Sequence, residues 1–166
     1  IFDLADQKLN FPISKIILSG PENDLQLTEN TQPAILTVSY SIYRVLKDEF
    51  NFNFENFKYF AGHSLGEYSA LVCSNSLNFI DAIYLLNQRG KAMQDAVPVG
   101  VGKMLAVLGT EINTLKELIN EITLSNGVCE IANDNAIGQV IVSGNKEKIE
   151  LLQTLLKKKK IKSIPL

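Results

Sequence analysis

A serine framed by glycines at fixed spacing carries the clearest chemistry in this chain. Gly62-His63-Ser64-Leu65-Gly66 has the form G-x-S-x-G, which is a nucleophile elbow when a strand leads into it and a helix leaves it. The turn is tight enough to strain the serine backbone, and the two glycines remove side chains that would collide with neighbouring elements. The Ser64 hydroxyl is then held at the positive end of the following helix. The backbone N–H of Leu65 is aimed at the oxygen of a tetrahedral acyl intermediate, and losing one such donor costs ~10²–10³ in rate.

The sole histidine, His63, directly precedes the serine. On a sharp elbow, adjacent side chains diverge, so His63 is poorly placed for a near-linear hydrogen bond of about 2.6–3.2 Å to Ser64 Oγ. A packing or local hydrogen-bonding role is expected for His63, and a general base for Ser64 is expected elsewhere. Arginine is scarce, with 2 Arg against 14 Lys. A planar guanidinium binds a carboxylate through two bonds where an ammonium cannot. Arg89, between Gln88 and Gly90, admits two readings from spacing alone: a carboxylate fork, or a surface salt bridge worth at most ~1 kcal/mol. Arg44 has only the second. Cys73 and Cys129 form neither a metal-ligand spacing nor a disulfide framework. Cys73 falls in an apolar helical pattern and is expected to be a buried, reduced thiol.

The elements that position these residues follow from periodicity. After a weakly periodic start with a turn at Ser19-Gly20-Pro21, Thr31-Gln32-Pro33 opens a strong helix, with Thr31 as cap and Pro33 in the first turn. Ile35, Val38, Ile42, Val45 and Leu46 give it one apolar face. Phe57–Ala61 is short and aromatic and reads as a buried strand feeding the elbow; Glu67–Val72 reads as the helix after it. Asn78 caps a further helix, with Ile80, Ile83, Leu86, Gly90 and Met93 on one face, ending near Pro98-Val99-Gly100-Val101-Gly102. The glycines at 100 and 102 mark a boundary. Beyond it come strand (Met104–Leu108), helix (Thr114–Thr123), strand (Val128–Asn133), strand (Gln139–Ser143), helix (Lys146–Lys159) and strand (Lys162–Leu166). This is the βαββαβ, ferredoxin-like order.

Length and composition set wider limits. A chain of 166 residues is long enough for one core, burying roughly 70% of its unfolded surface, or for two small subdomains. A net charge of −2 gives no sign of nucleic-acid binding. The charge is uneven: 7 Lys/Arg against 11 Asp/Glu in residues 1–98, and 9 against 7 in residues 99–166. No apolar run approaches the roughly 20 residues that cross a membrane. Lys157-Lys158-Lys159-Lys160 is expected to be a solvated helix end, where cations suit the dipole. The chain opens on Ile1-Phe2-Asp3 without Met and stops on Ile164-Pro165-Leu166 inside an expected strand, so a fragment of a longer protein is expected.

Together, AGHSLGEYSALVCS and QRGKAMQDAVPVGVGKMLAVLG resemble the malonyl-CoA:acyl-carrier-protein transacylases of fatty acid synthesis, and more loosely the acyltransferase domains of polyketide synthases. Thr31-Gln32-Pro33-Ala34-Ile35 is similar to the family's TQPA helix start, and Asn135-Ala136-Ile137-Gly138-Gln139-Val140 to its N-x-x-G-Q-V segment, with Ile137 where the family often has proline. The resemblance covers essentially the whole chain. It implies an α/β fold: a partial α/β-hydrolase-like large subdomain (residues 1–99) with an inserted ferredoxin-like small subdomain (residues 100–166). It also implies that Ser64 is acylated by malonyl-CoA and passes malonyl to the phosphopantetheine thiol of acyl carrier protein, with Leu65 N–H as oxyanion donor and Arg89 on the malonate carboxylate. Gln32 and Asn135 resemble positions near the active site and Met93 one lining the pocket, against helix-start, turn and core roles. The implied partners are acyl carrier protein and malonyl-CoA, with no cofactor, metal, nucleic acid or membrane, in a cytoplasmic protein that is monomeric at full length. The catalytic histidine, in a stretch resembling S-x-x-F-H, and the G-Q-G loop with the second oxyanion donor are expected outside these 166 residues.

Two other readings stand beside this one. A serine thioesterase or esterase would carry its triad in the order Ser…Asp/Glu…His, but simple acyl esters offer Arg89 no carboxylate. A non-catalytic module docking carrier protein is the reading from a different class.

Overall fold

The computed structural model describes residues 1–97, 100–123 and 126–166. They form two compact units, Ile1–Ala96 and Val97–Leu166, where the sequence places a division after residue 99.

The first unit is built from helices α1 (Phe2–Leu9), α2 (Ile13–Ser19), α3 (Glu22–Gln26), α4 (Thr28–Asp48), α5 (Gly66–Cys73) and α6 (Phe79–Ala96), with a 3₁₀ turn at Phe54–Asn56. Its core joins Ala34 and Leu36 of α4 to Ile83 and Leu86 of α6, with Ala5, Ile13, Val72 and Phe79 around them. Asn78 caps α6 as expected: its Oδ1 accepts from the Ile80 N–H at 2.8 Å. Helix α6 stops at Ala96, near the expected end; Pro98 and Val99 lie outside the described residues.

Three expectations for this unit are corrected. Helix α4 starts at Thr28, not after a Thr31 cap, because the Leu27 carbonyl already accepts from the Asn30 and Thr31 N–H groups, both at 2.8 Å. The Thr31 hydroxyl donates backward to the carbonyls of Leu25 and Leu27, the opposite of a cap, so Pro33 falls inside the helix. The periodic face of α4 is not its core face: Ile42 is 57% exposed and Val45 48%, whereas Pro33, Ala34, Leu36 and Thr37 are buried. Spacing identifies an apolar face but does not say which side the neighbouring helix takes. Finally, Phe57–Ala61 is not a buried strand; Tyr59 is 86% exposed. A strand exists through its ladder, and among the described residues this unit has no other strand to supply one. The rings of Phe52, Phe54, Phe57 and Phe60 instead gather near Tyr43, with Tyr43 and Phe54 centroids 4.4 Å apart.

The second unit has β1 (Gly102–Leu108), α7 (Ile112–Thr123), β2 (Cys129–Ala136), β3 (Gln139–Asn145), α8 (Lys146–Lys158) and β4 (Lys162–Pro165). The sheet order is β2-β3-β1-β4 with every pair antiparallel. Helices α7 and α8 bury Leu115, Leu118 and Ile122, and Ile149, Leu152 and Leu156, against Leu105, Val107, Val140 and Val142. The lysine run closes α8. Lys160 turns left-handed at φ 60°, the Ile161 N–H donates to the Leu156 carbonyl at 2.9 Å, and all four ammonium groups are solvated, the form of a Schellman cap.

Among the described residues no helix is long and apolar enough to cross a membrane. Cys73 is half-buried and Cys129 buried, and both are free thiols pushed up in pKa by burial. The corrected α4 face gives a direct comparison. Ile83→Ala, at a fully buried site, should cost about 2–5 kcal/mol, whereas Ile42→Ala should stay within about 0.5 kcal/mol. Denaturant midpoints of the two variants measure this, and equal losses would restore the face read from spacing.

Candidate active site

The elbow forms from local bonds. The N–H groups of Gly66, Glu67 and Tyr68 donate to the carbonyls of His63, Ser64 and Leu65 at 2.8, 3.2 and 3.1 Å. These amides are committed to the turn that starts α5, and the Leu65 N–H follows Ser64 directly. Ser64 itself sits at φ 53°, the left-handed region that non-glycine residues seldom occupy. Such strain belongs to positions that the surrounding structure over-determines. Gly62 is one cause: a Cβ there would lie 2.0 Å from the carbonyl carbon and oxygen of Gly66. Gly66 departs from expectation, since a Cβ on it would meet nothing within 4 Å. The crowding at this turn is one-sided.

Three elements bring the polar groups together: the start of α4, the elbow, and the second half of α6. Arg89 Nη2 donates to Ser64 Oγ at 3.1 Å, and Nη1 donates to Gln32 Oε1. Gln32 Nε2 in turn donates to Met93 Sδ at 3.3 Å. Gln32 is buried, Arg89 half-buried and Ser64 exposed, so the chain of bonds runs from the interior out to the hydroxyl. Arg89 is not a surface salt bridge: among the described residues it has no carboxylate partner, and the ion pairs are Arg44–Asp48 and Lys103–Glu150. Arg44 thus has the role its position suggested.

Of the residues singled out from sequence, Ser64, Leu65, Arg89, Gln32 and Met93 fall in this one cluster. His63 is exposed on the elbow, and Ser64 Oγ accepts from Arg89 Nη2. Asn135 is carried by the second unit, exposed on β2 where the register against β3 shifts between Asp134 and Ala136. One residue beneath the cluster was not singled out. Asn87 is 5% exposed, and its Nδ2 donates to the Glu29 carbonyl at 3.1 Å. Its signal was a carboxamide on the apolar side of a helix, two positions before the rare arginine. Among the described residues, no three His, Cys, Asp or Glu side chains are grouped to hold a metal ion.

A serine in the left-handed region at an elbow without a strand thus stands with a guanidinium on its hydroxyl. The chain belongs to the acyl transferase domain family, which it matches over residues 4–164. It is 40% identical over 167 residues to the malonyl CoA-acyl carrier protein transacylase of Bacillus subtilis, covering all of this chain and 51% of that protein. It is 39% identical over 149 residues to the Escherichia coli protein of the same name, covering 90% of this chain and 47% of that one. Among solved structures, FabD from Acinetobacter baumannii matches with a TM-score of 0.89 and 42% identity over 99% of this chain and 51% of that one. The transacylase from Coxiella burnetii reaches 0.91 at 33% identity, with the same coverage. The chain spans about half the length of the relatives it matches. The expected α/β fold is borne out by these matches.

The asymmetry of the two glycines is testable. Gly62→Ala should disrupt the elbow and displace the Ser64 and Leu65 amide resonances, whereas Gly66→Ala, inside α5, should change stability by no more than about 1 kcal/mol. Equal tolerance at both positions would show that the elbow is not held by the Gly62–Gly66 contact.

Proposed function

We propose that the protein is an acyltransferase that moves malonyl from CoA to the phosphopantetheine thiol of acyl carrier protein through a malonyl-Ser64 intermediate. One observation carries this reading: a guanidinium that has no carboxylate partner among the described residues stands 3.1 Å from the Ser64 hydroxyl. In a malonyl thioester the carboxylate is separated from the reacting carbonyl by a single methylene. The cation that binds it must therefore stand beside the nucleophile, as Arg89 does.

In the first half-reaction Ser64 Oγ attacks the thioester carbonyl, and the carbonyl electrons move to the oxygen, which receives the Leu65 N–H. The intermediate collapses as the C–S bond breaks, and CoA leaves as its thiol after taking up the serine proton through a base. In the second, the carrier-protein thiol attacks malonyl-Ser64, and the serine recovers its proton. Arg89 holds the carboxylate throughout by charge-assisted bonds worth about 1.5–3 kcal/mol, and acetyl gains nothing from them. Gln32 aligns Arg89, and Met93 is assigned to the substrate side. No cofactor or metal enters the reaction. His63 is not assigned as the base, since adjacent side chains on a sharp elbow are expected to diverge and leave it poorly placed for a near-linear bond to Ser64 Oγ.

The carrier-protein partner is supported by a structural relative described as a type II PKS acyl-carrier protein in complex with its malonyl-transacylase, with a TM-score of 0.89 and 36% identity over 99% of this chain and 52% of that one. The proposal includes a cytoplasmic location and a monomeric full-length protein.

Two outcomes test it. In the full-length protein, Arg89→Ala should cut malonyl use roughly tenfold or more, following from the loss of charge-assisted bonds, while acetyl use is retained or improved. An unchanged preference would remove Arg89 from substrate binding. General-base help is worth ~10²–10⁴, so the 166 residues alone should show negligible malonyl transfer in a carrier-protein acylation assay. Rapid transfer would bring His63 back as the base.

A further inference from the structure

Pro33 lies inside α4, where it has no N–H to donate to the carbonyl of residue 29. Helix α6 approaches the backbone of α4 closely at this level. A Cβ on Gly90 would come within 2.4 Å of Glu29 Cα and 2.6 Å of the Thr28 carbonyl oxygen. The freed Glu29 carbonyl is instead taken by Asn87 Nδ2 at 3.1 Å. Asn87 and Gly90 are three positions apart and so share a face of α6; Arg89 stands between them in sequence. On the other helix, Gln32 lies between Glu29 and Pro33. The Asn87–Glu29 bond and the Gly90 contact therefore fix the register of α6 on α4 at the level where Arg89 meets Gln32 Oε1.

We propose that Asn87 is a positioning residue for Arg89: by bonding the Glu29 carbonyl that Pro33 leaves without a donor, it locks α6 so that the guanidinium reaches Gln32 and Ser64 together. The inference deepens the proposed function, since it rests on Arg89 as the carboxylate-binding cation. The dependence is geometric. One planar group must satisfy two acceptors on two different elements, and binding sites tolerate only about 0.5 Å of displacement. A slide or rotation of α6 that costs little in core packing separates Arg89 from one of them.

Positioning is separable from plain stabilisation because Pro33→Ala restores an N–H to α4. The Glu29 carbonyl then has a donor within its own helix, and a carbonyl can accept two bonds. Asn87→Ala alone should lower the melting temperature by several degrees; in the Pro33→Ala background the same change should lower it much less. The decisive readout is the guanidinium ¹⁵N spectrum of this chain, which has two arginines, assigned with Arg44→Lys. Pro33→Ala should keep restricted rotation of the Arg89 Nη groups, and Pro33→Ala/Asn87→Ala should lose it. Identical Arg89 spectra in these two variants would overturn the proposal.

Malonate titration separates this outcome from the underlying reading. Malonate should shift the Arg89 Nε resonance in the unsubstituted chain and bind the double variant on the order of tenfold to a hundredfold more weakly. If Arg89 loosens in the double variant but malonate never touches it in either protein, the positioning stands and the malonyl reading falls.

Discussion

Helix α6 meets the start of α4 at a point where it carries no side chain, and the geometry of the site follows from that approach. With Gly90 against the Glu29 backbone, two helices that contribute nothing catalytic in themselves place Gln32 and Arg89 within bonding reach across 57 positions of sequence. The acceptor chosen there is a neutral amide. A carboxylate at position 32 would hold the guanidinium more tightly but would also neutralise it and compete with an incoming anion. Gln32 orients one edge of the fork, and among the described residues no carboxylate pairs with its charge. That suits a site for a negatively charged acyl group and would be wasteful in a salt bridge that only stabilised the fold.

The elements legible from sequence are those whose determinants are local or close within one unit. The elbow needs Gly62 and a run of short turns, all within seven residues. The βαββαβ unit declares itself because α7 and α8 place Leu115, Leu118 and Ile122, and Ile149, Leu152 and Leu156, at helical spacing against β-branched strand residues such as Val107, Val140 and Val142. By contrast, Phe57–Ala61 has the composition of a strand, but a strand is a relation between segments, and composition does not supply the partner. The α4 face failed for a related reason: Ile35, Val38 and Ile42 are periodic, yet α6 lies on the side of Ala34 and Leu36.

In the site, Ser64 and Arg89 were legible because spacing and scarcity mark them, and Gln32 and Met93 through the family resemblance. Asn87 was hidden behind a misplaced helix start. With Thr31 taken as the cap, Pro33 falls where its missing N–H is harmless. Once α4 begins at Thr28, the same proline leaves an orphaned carbonyl, and a buried carboxamide opposite it acquires a purpose. A shift of four residues in a helix start is small for the fold but decides whether a polar residue reads as incidental.

The bond from Arg89 to Ser64 bears on how a malonyl site would discriminate. Nη2 donates to the hydroxyl that attacks under the proposed function. Under the proposed function, an anionic acyl group draws the guanidinium toward its own carboxylate and uncovers Ser64 in the same movement. A neutral acyl group provides no such exchange and meets a nucleophile still engaged. Selectivity of this kind acts on the reactive state as well as on binding, so it would appear in kcat as well as in KM. It depends on the fork being held at the right distance to serve either acceptor, which places the demand on the α4–α6 contact rather than on the serine. Under that reading the left-handed backbone of Ser64 fixes where the oxygen points, and an exchange of partners by Arg89 would decide when it is available.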